Sequence, residues 1–137
     1  MIEFTFHEVE TRKEVNDQLA WVESCLNKLF QETHHVQYVF CTDDYLKEMN
    51  GRVLNHDYFT DIITFDLRDK ESDPLEAEIY ISLDRVAENS ATYNCTFADE
   101  IRRVLVHGLL HLSGLGDATE EEKQHMRQQE DYFLTIE

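Results

Sequence analysis

The stretch DEIRRVLVHGLLHLSGLGD, Asp99 to Asp117, decides how this chain is read. Ile101, Val104, Leu105, Gly108, Leu109 and Leu112 recur at intervals of three and four, so a helix gathers them into one apolar stripe. At about 100° per residue, Glu100, His107 and His111 fall together along one edge of that stripe. Two imidazoles at i and i+4 project side by side, the spacing that lets both bind one metal ion. Three of the four glycines lie in the same stretch. Gly114 can end the helix in a left-handed conformation and Gly116 supplies a second turn, so the chain doubles back and presents Asp117 to the same ion. Two neutral imidazoles and one carboxylate make a zinc site with a fourth position open for water. The alternative is a pair of histidines that flank a core helix and bond backbone carbonyls. The paired spacing, the glycine return and the carboxylate together favour one metal ion held by His107, His111 and Asp117.

Working outward, the stripe needs a sheet to lie on. Ile2, Phe4 and Phe6 alternate with polar residues, which predicts a first strand. Val15, Leu19, Val22, Leu26 and Leu29 predict one long amphipathic helix. VQYVFCT (36–42) is apolar on both faces and reads as a central strand, preceded by a solvated turn at His34-His35. A short helix from Asp44 to Asn50 is expected to end at Gly51. FTDIITFDL (59–67) and AEIYISL (77–83) read as strands, and the charged, proline-bearing loop between them suits antiparallel neighbours. From Asp84 onward the pattern is helical, broken near Asn94 and at Gly114 to Gly116. Thr119-Glu120-Glu121-Glu122 reads as a capping box opening the last helix. The expectation is a single α+β domain over residues 1–137. A small mixed sheet of about four strands packs with about five helices, and the metal site sits at the end of the histidine-bearing helix.

Composition bounds the function. A hydrophobic content of 42% over 137 residues supports a real core, so the high charge does not imply disorder. No apolar run approaches the roughly 20 residues that span a bilayer, and the acidic, alternating start is unlike a targeting peptide. A cytoplasmic protein with reduced, buried thiols at Cys25, Cys41 and Cys95 is expected. The net charge of −17 argues against generic phosphate-driven nucleic-acid binding, with no DNA partner expected, but leaves room for a specific contact.

The segment HGLLHLSGLGD resembles the signature of the YbeY family of rRNA maturation factors and metal-dependent endoribonucleases, whose usual form is HGxLHLxGYDH. His107, Gly108, Leu110, His111, Leu112 and Gly114 match it position for position. Asn50 followed at ten residues by TDIITF, EIYISLDRV at 78–86, and Met126 extend the resemblance. It implies a zinc held at 107, 111 and 117, an rRNA substrate, association with the small ribosomal subunit, and a role in 16S rRNA 3′-end processing. Two positions depart from the pattern. Asp117 stands where the family has its third histidine, which lowers the net positive charge at the ion and with it the Lewis acidity. Leu54 stands where the family has an arginine. Arg52 is the candidate substrate-binding cation in its place, with His56 beside it.

A peptidase with the same spacing would carry a glutamate after the first histidine as general base; Gly108 cannot take a proton. That glycine is instead expected to leave space beside the metal. The leading expectation is therefore a zinc-dependent, single-strand-specific endoribonuclease, with the general base unassigned. The alternative is a ribosome assembly factor whose zinc is structural. Glu100 is expected to be exposed or to support a ligand. Tyr80, Tyr93 and Tyr132 are expected to be packing or surface residues, and His125 a residue of the charged last helix rather than a fourth ligand.

Overall fold

A computed structural model describes residues 1–54 and 60–136. Four strands form one sheet: β1 (Ile2–Phe6), β2 (Thr33–Cys41), β3 (Ile62–Asp66) and β4 (Leu75–Ser82). Their spatial order is β1-β2-β4-β3, with β1, β2 and β4 parallel and β3 antiparallel to β4. The mixed sheet and the antiparallel β3–β4 pair are those the sequence predicts. β2 is central, as its two-sided apolar pattern requires, and it begins early enough to include His34 and His35. Those two histidines are thus strand residues, not a turn. The β1–β2 parallel pairing continues the ladder back to Val36, whose N–H donates to the Met1 carbonyl.

Strand alternation sends two apolar sets to opposite faces. Val36, Tyr38 and Phe40 of β2 and Ala77, Ile79 and Ile81 of β4 face the main core. There α2 (Leu19–Leu29), α4 (Leu83–Thr92), α5 (Phe97–Leu112) and α6 (Glu120–Leu134) contribute their buried residues. The other face is covered by α3 (Asp43–Leu54), which packs Leu46 over Cys41 and Ile63.

Three local expectations are corrected. The long helix from Val15 to Leu29 divides into a one-turn α1 (Lys13–Asn16) and α2. At the break the buried Gln18 amide donates to the Glu14 carbonyl, and Gln18 is the N-cap of α2. Helix α3 runs through Gly51 to Leu54; one glycine inside a helix costs only about 1 kcal/mol relative to alanine. Cys25 and Cys41 are buried, with burial pushing each thiol up to about 12, but Cys95 is exposed. Among the described residues no helix is long and apolar enough to cross a membrane.

Helix α5 seats the site. Its stripe of Ile101, Val104, Leu105, Gly108, Leu109 and Leu112 is buried as the periodicity predicts. The Tyr38 hydroxyl donates to the Leu105 carbonyl at 2.7 Å, tying the helix to the central strand. Gly108 faces the sheet, not the metal site. A Cβ there would lie 3.1 Å from Ile79 Cδ1 and 3.2 Å from Ile62 Cδ1. The glycine therefore sets how closely α5 approaches β3 and β4, and the expected space beside a metal is not its role. Gly108→Val should destabilise the fold by about 1–3 kcal/mol through overpacking, read as a lower urea midpoint with unchanged m-value.

Candidate metal centre

The helix that carries both histidines ends in a Schellman motif. Ser113 is the C-cap, and the Gly114 N–H donates to the His111 carbonyl while the Leu115 N–H donates to the Leu110 carbonyl. Gly114 has φ +110°, a conformation that penalises a Cβ, so glycine is needed at this one turn. The turn also orients a functional side chain. The Leu115 carbonyl accepts from His111 Nδ1 at 2.9 Å, which leaves Nε2 turned toward Asp117.

The return loop is closed from the other side by α6. Thr119 Oγ accepts from the Glu122 N–H at 3.1 Å, and the Glu122 carboxylate accepts from the Thr119 N–H at 3.0 Å, completing the capping box. That carboxylate lies over Gly116, where a Cβ would collide with it. Gly116 thus serves as room for Glu122 rather than as a left-handed turn. Between the two fixed points the chain delivers Asp117.

His107, His111 and Asp117 meet as the sequence predicts. Asp117 Oδ2 lies 3.4 Å from His107 Nε2 and 3.2 Å from His111 Nε2. One ligand atom from each residue falls within 4.8 Å of the others. A tetrahedral ion with bonds of about 2.0–2.1 Å holds its ligand atoms about 3.3 Å apart, so the spacing fits a small divalent cation. The ligand set, two imidazoles and a carboxylate, fits zinc and its neighbours. His125 is not part of this group.

The sequence reading missed Glu130. Its carboxylate is 5% exposed and accepts from His107 Nδ1 at 2.6 Å, doing for His107 what the Leu115 carbonyl does for His111. The Arg103 guanidinium donates to the same carboxylate at 2.8 Å and to Asp131 at 2.8 Å. A buried carboxylate with two such partners is compensated for leaving water. Burial opposes a charge on His107, but the Glu130 hydrogen bond with the Glu130, Asp61 and Asp117 charges outweighs it and raises the imidazole above its ordinary value. A signal for Glu130 was present in the spacing: Met126, Glu130 and Phe133 form the buried face of α6, so an acid sits on an otherwise apolar stripe.

An open cleft of about 610 Å³ adjoins His107, His111 and Asp117. Along α5 it is lined by Glu100, Arg103, Val104, His107, His111 and Leu112. Glu100 is 4% exposed, which corrects the expectation of a solvent-facing group. Burial, helped by the nearby Asp61 charge, pushes its carboxyl up to about 7. Asp61 also lines the cleft and is raised, chiefly by burial. Arg52 is exposed, 3.7 Å from Glu48, and is not among the described residues lining the cleft; Arg127 is. Leu54 ends α3, and His56 lies outside the described residues. Tyr80 is half-buried against Phe65, whereas Tyr93 and Tyr132 are exposed.

Two measurements check this geometry. Glu130→Gln should weaken metal affinity by about 10–100-fold in a chelator competition, with the circular dichroism spectrum retained. The Glu100 carboxyl is raised from 4.5 to about 7 in the folded chain, so its contribution to stability is complete below 4.5 and lost as pH climbs through 7. Glu100→Gln should accordingly raise the Tm of metal-free protein at a pH of about 8 or above, and the gain should vanish at acid pH.

The profile of the family described as Endoribonuclease YbeY matches residues 3–136. The chain is 41% identical to the Endoribonuclease YbeY of Cytophaga hutchinsonii over 98% of its own length and 91% of that protein. It is 37% identical to the Endoribonuclease YbeY of Flavobacterium psychrophilum over 99% of its length and 96% of that protein. Among solved structures, the solution structure of TM1509 from Thermotoga maritima superposes with a TM-score of 0.70 at 27% identity, covering 98% of this chain and 87% of that one. With the profile spanning nearly every residue and the histidine pair seated at the end of α5, the chain belongs to the YbeY family.

Proposed function

We propose that the chain is a metal-dependent endoribonuclease that cuts single-stranded RNA during rRNA maturation, with one Zn²⁺ held by His107, His111 and Asp117. The observation that carries this reading is the convergence of three ligand atoms whose companion atoms are already engaged: Glu130 holds His107 Nδ1 and the Leu115 carbonyl holds His111 Nδ1. Three protein ligands leave a position for water, the arrangement of a catalytic rather than a closed structural site. When bound, the ion supplies Lewis acidity at a phosphoryl oxygen and a water whose pKa falls toward about 7.

The chain's own residues do the rest. Asp117 contributes an anionic ligand and moderates that acidity. Glu130, through His107, fixes the tautomer and ring orientation before substrate arrives. Arg127 lines the cleft and is better placed than the exposed Arg52 to meet a phosphate. Relatives named as endoribonucleases support RNA as the substrate class. The small ribosomal subunit as partner, 16S rRNA 3′ ends as the processed site, and a cytoplasmic setting follow from the family resemblance, with no DNA partner and no membrane.

Purified protein with stoichiometric zinc should cleave single-stranded RNA and leave duplex intact. His111→Ala and Asp117→Ala should each lose both metal and cleavage, read by elemental analysis and gel mapping. Wild-type protein that binds zinc yet leaves RNA intact, in cells whose 16S rRNA 3′ ends are unaffected by His111→Ala, would sink the reading.

A further inference from the structure

One buried carboxyl has no hydrogen-bonding partner among the described residues of the fold or the metal site. Glu100 is as buried as Glu130, but where Glu130 is held by Arg103 and His107, the Glu100 carboxylate accepts no hydrogen bond and forms no ion pair among the described residues. It lines the cleft, on the same stripe of α5 as His107 and His111. A carboxylate held largely out of water at the wall of a cleft is stabilised by donors supplied within that cleft. We infer that this end of the cleft reads a nucleobase: Glu100 accepts two hydrogen bonds from the donor edge of a guanine that stacks on Tyr93. The ligand class rests on the endoribonuclease reading above.

Elimination leads to this occupant. Phosphate is disfavoured against the Glu100 carboxylate itself, because Asp61 and Glu130 share its sign and the Arg103 guanidinium is engaged by Glu130 and Asp131, while Arg127, which also lines the cleft, is the cation that meets the backbone. A second cation finds no compact cage: among the described residues only His107, His111 and Asp117 bring three ligand atoms together. A neutral group rich in donors remains. Guanine presents an N1–H and an N2 amine side by side on its Watson–Crick edge, matching the two oxygens of a carboxylate. Adenine and cytosine place an acceptor beside their amine, and uracil flanks its single N–H with two carbonyls, so each turns a lone pair toward Glu100.

The surroundings suit a base. Tyr93, at the C-terminal end of α4, is 62% exposed and lines the cleft, offering an aromatic face at its mouth. Asn89, one turn earlier, lines the cleft with an amide. Glu100 precedes His107 by seven helical residues, about 10 Å along the axis. That is the order of distance from a phosphate to the edge of its neighbouring base. A phosphodiester at the metal end therefore places an adjacent base at Glu100.

The test uses zinc-loaded, full-length protein and short oligouridylates carrying one central guanine, adenine or cytosine. Cleavage is mapped on gels, and binding is measured separately by fluorescence anisotropy on the His111→Ala background. Wild type should prefer the guanine oligomer by about tenfold or more in cutting beside it and in binding. Glu100→Gln should abolish that preference while still cutting, and Tyr93→Ala should weaken binding to all three oligomers by a similar factor, about tenfold. Equal handling of the three oligomers by wild type, with cleavage intact, overturns the subsite and leaves the endoribonuclease reading standing. No cleavage, but guanine-selective binding lost in Glu100→Gln, does the reverse. A second equivalent of Mn²⁺ bound by wild type and lost in Glu100→Gln, without guanine preference, overturns the inference in favour of a cation.

Discussion

Helix α5 can bury its stripe only by approaching the sheet to within the width of a glycine, and the site is built on that approach. Ile79 and Ile62 meet the helix where Gly108 has no side chain, and the Tyr38 hydroxyl fastens the Leu105 carbonyl on the same side. With the apolar face committed, the residues at its edge have one direction left. His107 and His111 face the cleft because their neighbours at 104, 105, 108, 109 and 112 are buried. Hydrophobic burial thus performs the first act of orientation, before any polar contact forms.

The second act is polar and comes from both ends of a short return loop. The Schellman turn at Gly114 and the capping box at Thr119 are ordinary helix-terminus devices. Here each also serves the site, the first through the Leu115 carbonyl on His111 and the second through the placing of Asp117. Helix α6 then contributes Glu130 to His107. The two histidines on one helix are thereby held by two different partners, a carbonyl and a carboxylate.

Charge in the cleft is arranged, not merely abundant. The chain's net −17 resides largely in exposed acids, which say little about the substrate. Within the cleft the two most buried acids differ: Glu130 is bonded to Arg103 and His107, whereas Glu100 accepts no hydrogen bond and forms no ion pair among the described residues. That contrast separates a carboxylate that supports the fold from one that waits for donors. An acidic protein can act on RNA in this way if cations are confined to where phosphate lies and acceptors to where bases lie.

Periodicity alone determined the helix that carries the site, the four strands, the central place of β2, the capping box and the meeting of His107, His111 and Asp117, because each rests on local spacing or on local turn chemistry. Spacing failed where neighbours in space intervened. The break at Gln18 depends on a side-chain bond to Glu14, and the passage of α3 through Gly51 on packing over the second face of the sheet. The roles of Gly108 and Gly116 turned on what lies opposite each, Ile79 in one case and Glu122 in the other. The roles of Glu130 and Glu100 were decided by tertiary structure, since a carboxylate's meaning depends on the charge across from it, and residues 23 and 39 positions apart in sequence share a cleft only after the chain has folded.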